Sequence, residues 1–188
     1  MTTKPEASSR RRRRRDRPAF IVRPARPRDA RSVLDLWRLV VAERRFVRAE
    51  SVGGSVRYHR RRFRRSWTEQ EASLVAMERR RVIGHLEVTR EESPATRHIA
   101  TLGMAVRPDR RGAGVGSALM REAINWARTM GIEKLALSVY PDNESARALY
   151  RKFGFQEEGR LTGHSKKSFG YQDEIVMGLW LIPPPVSR

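Results

Sequence analysis

The chain contains no cysteine, which excludes a disulfide framework, a thiolate metal site and a cysteine nucleophile. Its four histidines are scattered through the sequence, so no zinc site or other metal centre is expected. No apolar run approaches the length of a membrane span, and the N-terminus is charged where a secretory signal would be apolar. A cytoplasmic protein without membrane contact is the expectation. Internal repeats are absent, and 188 residues with 39% hydrophobic content suit one ordinary domain rather than two.

Acidic residues are also in short supply, leaving a formal net charge of +19. Residues 1–17 concentrate part of it: Lys4, Arg10 to Arg15 and Arg17 face only Glu6 and Asp16, with no hydrophobic periodicity to fold around. This segment reads as a disordered basic tail, and it is the place where RNA or ribosome contact through phosphates is expected if it occurs at all. A merely solvated extension fits equally well. Arginine outnumbers lysine 35 to 5 over the chain, so arginine richness alone carries little functional weight.

From residue 18 to 182 the pattern is that of one folded domain, with 183–188 as a proline-led tail. Phe20 to Arg23 reads as a short strand and Arg28 to Ala42 as an amphipathic helix with Val33, Leu36, Trp37 and Val40 on its stripe. A second helix, loaded with arginine, is expected from Val56 to Trp67. Strands follow at Ala72 to Met77, Val82 to Thr89 and His98 to Val106, as an antiparallel meander. Val115, Leu119, Ala123, Trp126 and Met130 then recur at helical spacing up to Gly131, Lys134 to Tyr140 alternates as a strand, and Asn143 caps a helix ending at Gly154. A short strand is expected at Phe155, a mobile loop from Leu161 to Gly170, and a last strand from Asp173 to Leu181.

The most informative stretch is Val106 to Ser117, a strand end running through Arg110-Arg111-Gly112-Ala113-Gly114-Val115-Gly116 into a helix. Such a turn gathers bare backbone N–H groups beside the positive end of a helix, which makes it a phosphate cradle. It is not a Walker loop, because it lacks the Gly-Lys-Ser/Thr ending. It is not a dinucleotide fingerprint either, because Ser117 stands where a third spaced glycine is needed and the next strand ends in Pro141 instead of an acidic residue.

Arg111 to Gly116, preceded by Met104-Ala105-Val106-Arg107-Pro108 and followed by Asp142 to Phe155, resembles the GNAT superfamily of acyl-CoA-dependent N-acetyltransferases, and more weakly its branch that acetylates ribosomal-protein N-termini or small amines. The resemblance implies an α/β (α+β) fold with a mixed central sheet of about six to seven strands flanked by helices. It implies acetyl-CoA as acyl donor and an amine, on a protein or a small molecule, as acceptor. The pyrophosphate is expected on Arg111, Gly112, Ala113, Gly114, Val115, Gly116 and Ser117. The pantetheine arm is expected along Met104, Ala105 and Val106, with Asn143 touching the pantetheine or acetyl region.

Tyr150 is the expected general acid, since a phenol holds its proton at neutral pH and can lend it to a leaving thiolate. In the position where related enzymes often carry a Glu, this chain has His98, the candidate base; Glu87 on the preceding strand is the reserve, and a water chain without a dedicated base stays open. Gly103, inside the strand before the turn, marks either a bulge that splays the strand or the space for a bulky neighbour. The resemblance implies that Arg44 to Trp67 and Arg160 to Asp173 wall the acceptor site; their basic side chains either face the cleft, favouring an acidic or ribosome-bound acceptor, or face outward as a solvated surface. An alternative function is a basic nucleic-acid- or ribosome-binding protein that keeps the fold with little catalysis.

Overall fold

The computed structural model describes residues 20–183; the arginine tail at 1–17 and most of the expected C-terminal tail lie outside the described residues. Seven strands form a single sheet: β1 (Ile21–Pro24), β2 (Glu71–Glu78), β3 (Arg81–Arg90), β4 (Ile99–Val106), β5 (Lys134–Val139), β6 (Gln156–Lys167) and β7 (Gly170–Trp180). Their order is β1-β2-β3-β4-β5-β7-β6, with only β4 and β5 parallel. Four helices flank it: α1 (Ala30–Ala42), α2 (Val56–Arg62), α3 (Val115–Thr129) and α4 (Glu144–Lys152). Among the described residues, no helix is long and apolar enough to cross a membrane.

The alternation of each strand divides its residues between two cores. On one face Leu74, Leu86, Leu102, Leu135 and Met177 pack under Leu119, Met120 and Trp126 of α3 and Tyr150 of α4. On the other, Val75, Val82 and Ala105 pack under Val33, Leu36 and Val40 of α1 and Phe63. Gly84 of β3 makes the first packing possible. A Cβ on it would sit 2.7 Å from Val115 Cγ1 and 2.9 Å from Leu119 Cδ1, so α3 seats where the strand has no side chain.

Two expected elements are corrected. The second helix stops at Arg62 and tightens into a 3₁₀ turn at Phe63–Arg65, which turns Phe63 into the core. The segment Leu161 to Gly170 is not a loop: β6 runs through Lys167 and pairs with β7 as a long hairpin. Most of its residues are exposed and the two buried ones, Ser165 and Lys167, are polar, so no apolar alternation announces it. As an edge strand it is held by its backbone ladder instead of by burial.

The functional consequence of the fold lies at its centre. β4 and β5 pair only over Ile99–Thr101 with Lys134–Ala136, then separate. β4 stays in continuous register with β3 through Glu87↔Gly103 to Gly84↔Val106, so Gly103 is not a bulge. Nor does it relieve a bulky neighbour, because a Cβ there would meet nothing within 4 Å. Beyond the β4–β5 pairing each strand keeps only its outer partner among the described residues, β4 with β3 and β5 with β7.

A buried polar junction ties α1, β2 and β3 together. His85 of β3 is 1% exposed. Its Nδ1 lies 2.9 Å from Trp37 Nε1 of α1 and its Nε2 2.9 Å from Ser73 Oγ of β2. An indole nitrogen only donates, so Nδ1 accepts and the proton sits on Nε2, facing Ser73. Burial pushes the imidazole down to about 4, against the pull of Glu87 in the other direction.

Because unfolded His85 takes up a proton near 6.5 and folded His85 only near 4, the fold loses stability as pH falls through that window. The expected loss is about 3 kcal/mol, and urea unfolding at neutral and acid pH should show a shallower acid loss in His85→Gln than in the native chain. In the α3 core, Gly84→Val is expected to cost about 1–3 kcal/mol by overpacking, read as a lower urea midpoint with unchanged slope.

Candidate functional site

Beyond Thr101, one edge of β4 has no strand partner among the described residues, and this open edge runs directly into the glycine turn. Gly112 and Gly114 take left-handed φ values of +76° and +81°, which point successive N–H groups the same way. Among the described residues the N–H groups of Gly112, Ala113 and Gly114 meet no acceptor, and the first hydrogen bond of α3 is Ala118 N–H to Gly114 O at 3.0 Å. The first turn of α3, Val115 to Ser117, adds its own unpaired N–H groups and the positive end of the helix. Gly116 has a different role. A Cβ there would lie 2.9 Å from Leu149 Cδ2 and 3.4 Å from Met104 Cε, so it lets α4 close against α3 and β4.

The arginines of the turn are already engaged. Arg110 binds Glu78 and Arg107 binds Asp109. Arg111 forks Glu43, just past the end of α1, at 3.0 and 2.5 Å. A diphosphate on the turn would compete with Glu43 for that guanidinium, whereas the backbone N–H groups are uncommitted. The cradle is therefore primarily main chain.

Along the open edge, Met104 and Val106 point partly buried toward the α3 face, while Ala105 is buried under α1. Only the backbone of these residues is left to meet a ligand. Asn143 caps α4 by accepting from Ala146 N–H at 3.3 Å, which places α4 beside the wedge. Its side-chain oxygen also accepts from Ser145, so the amide NH₂ is the group left for a ligand.

Tyr150, two turns into α4, is 7% exposed and stands 5.8 Å from the ring of Phe155. Its hydroxyl makes no hydrogen bond among the described residues, and burial pushes the phenol up to about 12.

The structure does not bring His98 to this place. His98 precedes β4 at the paired end of the β4–β5 seam, where its carbonyl accepts from Glu133 and Lys134 and its ring stacks on Trp180. Five strand residues separate it from Gly103, about 16 Å at strand rise, beyond the reach of an imidazole. Glu87 is the better placed carboxylate. It pairs across from Gly103 and faces the α1–α2 side of the sheet, and the missing side chain at Gly103 leaves it an open approach to the wedge. Arg62 holds it at 3.1 Å while also binding Glu71 at 2.8 Å, and His85 Nε2 lies 3.7 Å away.

Arg62 is the exception among the arginines of the second helix. Arg57, Arg60, Arg61, Arg64 and Arg65 are exposed to solvent, in keeping with the solvated-surface alternative. The reading by motif missed the His85 junction and Arg62. The visible signal was a histidine set among the apolar residues of β3, where a polar side chain must find partners.

Comparison with known proteins agrees with this geometry. Residues 34–155 match the Acetyltransferase (GNAT) family. Over 100 residues the chain is 35% identical to the L-amino acid N-acetyltransferase AaaT of Escherichia coli, covering 51% of this chain and 60% of that protein. Over 81 residues it is 36% identical to the ribosomal protein bS18-alanine N-acetyltransferase of Salmonella typhimurium, covering 43% and 55%. The match thus spans little more than half the length of these curated relatives.

Among solved structures, an acetyltransferase of the GNAT family from Streptococcus pneumoniae superposes with a TM-score of 0.80 at 26% identity, over 86% of this chain and 99% of that one. The YncA protein of Salmonella typhimurium, solved with its cofactor acetyl-CoA, shares the fold with a TM-score of 0.80 at 17% identity, over 90% and 98%. A sheet split between β4 and β5, a glycine cradle at the end of the open edge, and a family match across both place this chain in the acetyltransferase (GNAT) family.

Proposed function

We propose that the protein is an acetyl-CoA-dependent N-acetyltransferase that moves an acetyl group to a primary amine by direct attack in a ternary complex. The observation that carries this reading is the unpaired edge of β4 leading into uncommitted N–H groups at Gly112 to Gly114, with Tyr150 on the neighbouring helix. An acyl-CoA presents a matching sequence of groups: a pantetheine amide chain for the edge and a pyrophosphate for the cradle. It supplies an acyl thioester, which leaves the chain to position the amine, remove its proton and support the departing sulfur.

Glu87 takes the amine's proton from the α1–α2 side, across the gap left by Gly103. Backbone N–H groups on the open edge of β4 are the groups available to polarise the carbonyl. Tyr150 supports the sulfur, and magnitude decides how. A phenol near 12 is about 3.5 units less acidic than a thiol near 8.5, so complete proton transfer runs uphill by about 5 kcal/mol. Tyr150 therefore acts by donating a hydrogen bond to the developing thiolate, while the sulfur's final proton comes from the attacking nitrogen or water. Acceptors of the kinds named for the relatives, an L-amino acid or a ribosomal-protein alanine, are the first to test.

Thiol release from acetyl-CoA with a panel of amines tests the reading; no release with any amine would refute it. Tyr150→Phe is expected to lower kcat by about 100-fold with the acetyl-CoA KM little changed. In the native chain, loss of activity from ionisation of Tyr150 should appear only as pH nears 12. Glu87→Gln is expected to lose about 10- to 100-fold near neutral pH and to recover toward alkaline pH, where the amine is already neutral. His98→Ala, by contrast, should turn over within about two-fold of the native rate, since surface changes away from the site are near neutral.

A further inference from the structure

Glu174 of β7 is a carboxylate buried with half of its hydrogen-bonding capacity unused. It is 1% exposed. Oε1 accepts from the Ser165 hydroxyl and lies 3.3 Å from Nε of Arg48, whereas Oε2 is buried without a partner. Tyr140 donates to Ser165 at 3.3 Å and completes the polar cluster. A buried carboxylate oxygen left unmatched is costly, and such sites persist where a ligand supplies the missing donor.

Its position gives the direction. Ile175 and Met177 of β7 point into the α3–α4 core, so Glu174 points to the opposite face, the one that carries Glu87 and Gly103. In register it stands one step past Val139↔Ile175, level with Tyr140 at the open mouth of the wedge. Arg48, in the segment between α1 and α2, reaches it, and the β6–β7 hairpin fastens that segment by polar contacts. Lys167 Nζ donates to Val47 O at 2.6 Å, and Ser168 N–H and Oγ donate to Glu50 at 2.9 and 2.7 Å. Arg48 itself remains 62% exposed. Val47 also packs against the α1 core and Lys167 is itself buried, so the segment is anchored there, while Arg48 and Glu50 lie on its exposed rim.

We propose that Glu174 Oε2 receives the ammonium of the acceptor, so that a primary alkylammonium is the form that docks and Glu174 is the residue that selects it. This rests on the acetyltransferase reading. An –NH₃⁺ group brings three donors to an oxygen that has none, on a carboxylate that Arg48 reaches only through Oε1. Arg48 shares the same carboxylate through Oε1 and competes with the incoming ammonium.

The test uses the full chain with coenzyme A and n-propylamine at neutral pH, followed by calorimetry. The native chain is expected to bind it, Glu174→Gln to bind at least about 10-fold more weakly, and Arg48→Ala to bind several-fold more tightly. In turnover, Glu174→Gln should raise the KM for n-propylamine about 10-fold with little change in kcat, while aniline, neutral at this pH, should be used as in the native chain. Absence of binding to the native chain, equal binding to the Gln variant, or equal losses for propylamine and aniline would overturn the assignment. Weaker binding in Arg48→Ala would do the same, and this exposed position decides if Glu174→Gln does not fold. Glu174-dependent binding without thiol release from any amine would sink the transferase reading and leave the ammonium site standing.

Discussion

Backbone N–H and C=O groups in a sheet require partners, and β4 finds them on only one side beyond Thr101. Everything else in the site follows from that deficit. β3 and β4 are in continuous register, and β5 pairs with β7 along its whole length. The gap leaves one edge of β4 open, and a ligand with an amide backbone of its own could satisfy that edge as a strand would.

The cradle at the end of this edge works for the same reason. Left-handed φ at Gly112 and Gly114 turns N–H groups outward before α3 begins, and the helix adds its own uncapped first turn. Side-chain cations play a lesser part than the run of arginines suggests, because Arg107, Arg110 and Arg111 are each paired with a carboxylate. Gly84 and Gly116 hold this arrangement in place by letting α3 and α4 approach the sheet where a methyl group would collide.

On the opposite face the controlling feature is polar. Trp37, His85 and Ser73 join α1, β3 and β2 through one neutral imidazole, and Glu87 and Arg62 stand at its edge. Under the proposed reading the acceptor meets this face, which carries Glu87 and Glu174, and the phosphate meets the start of α3, so that different strands and loops would set the two functions.

Local pattern determined much of this. The helical spacing from Val115 to Met130, the alternation of Leu135, Leu137 and Val139, and the Arg111-to-Gly116 turn were legible because period, cap and glycine conformation are properties of neighbouring residues. The family and its cradle were legible for the same reason. Tertiary structure decided what depends on residues far apart in the chain: that His98 lies at the closed end of the seam, that Gly103 opens space for Glu87 without a bulge, that β6 is a long edge strand, and that Glu174 is buried with a free oxygen. Strand register and the packing of distant layers set these distances and burials, and neither is written in the spacing of any single segment.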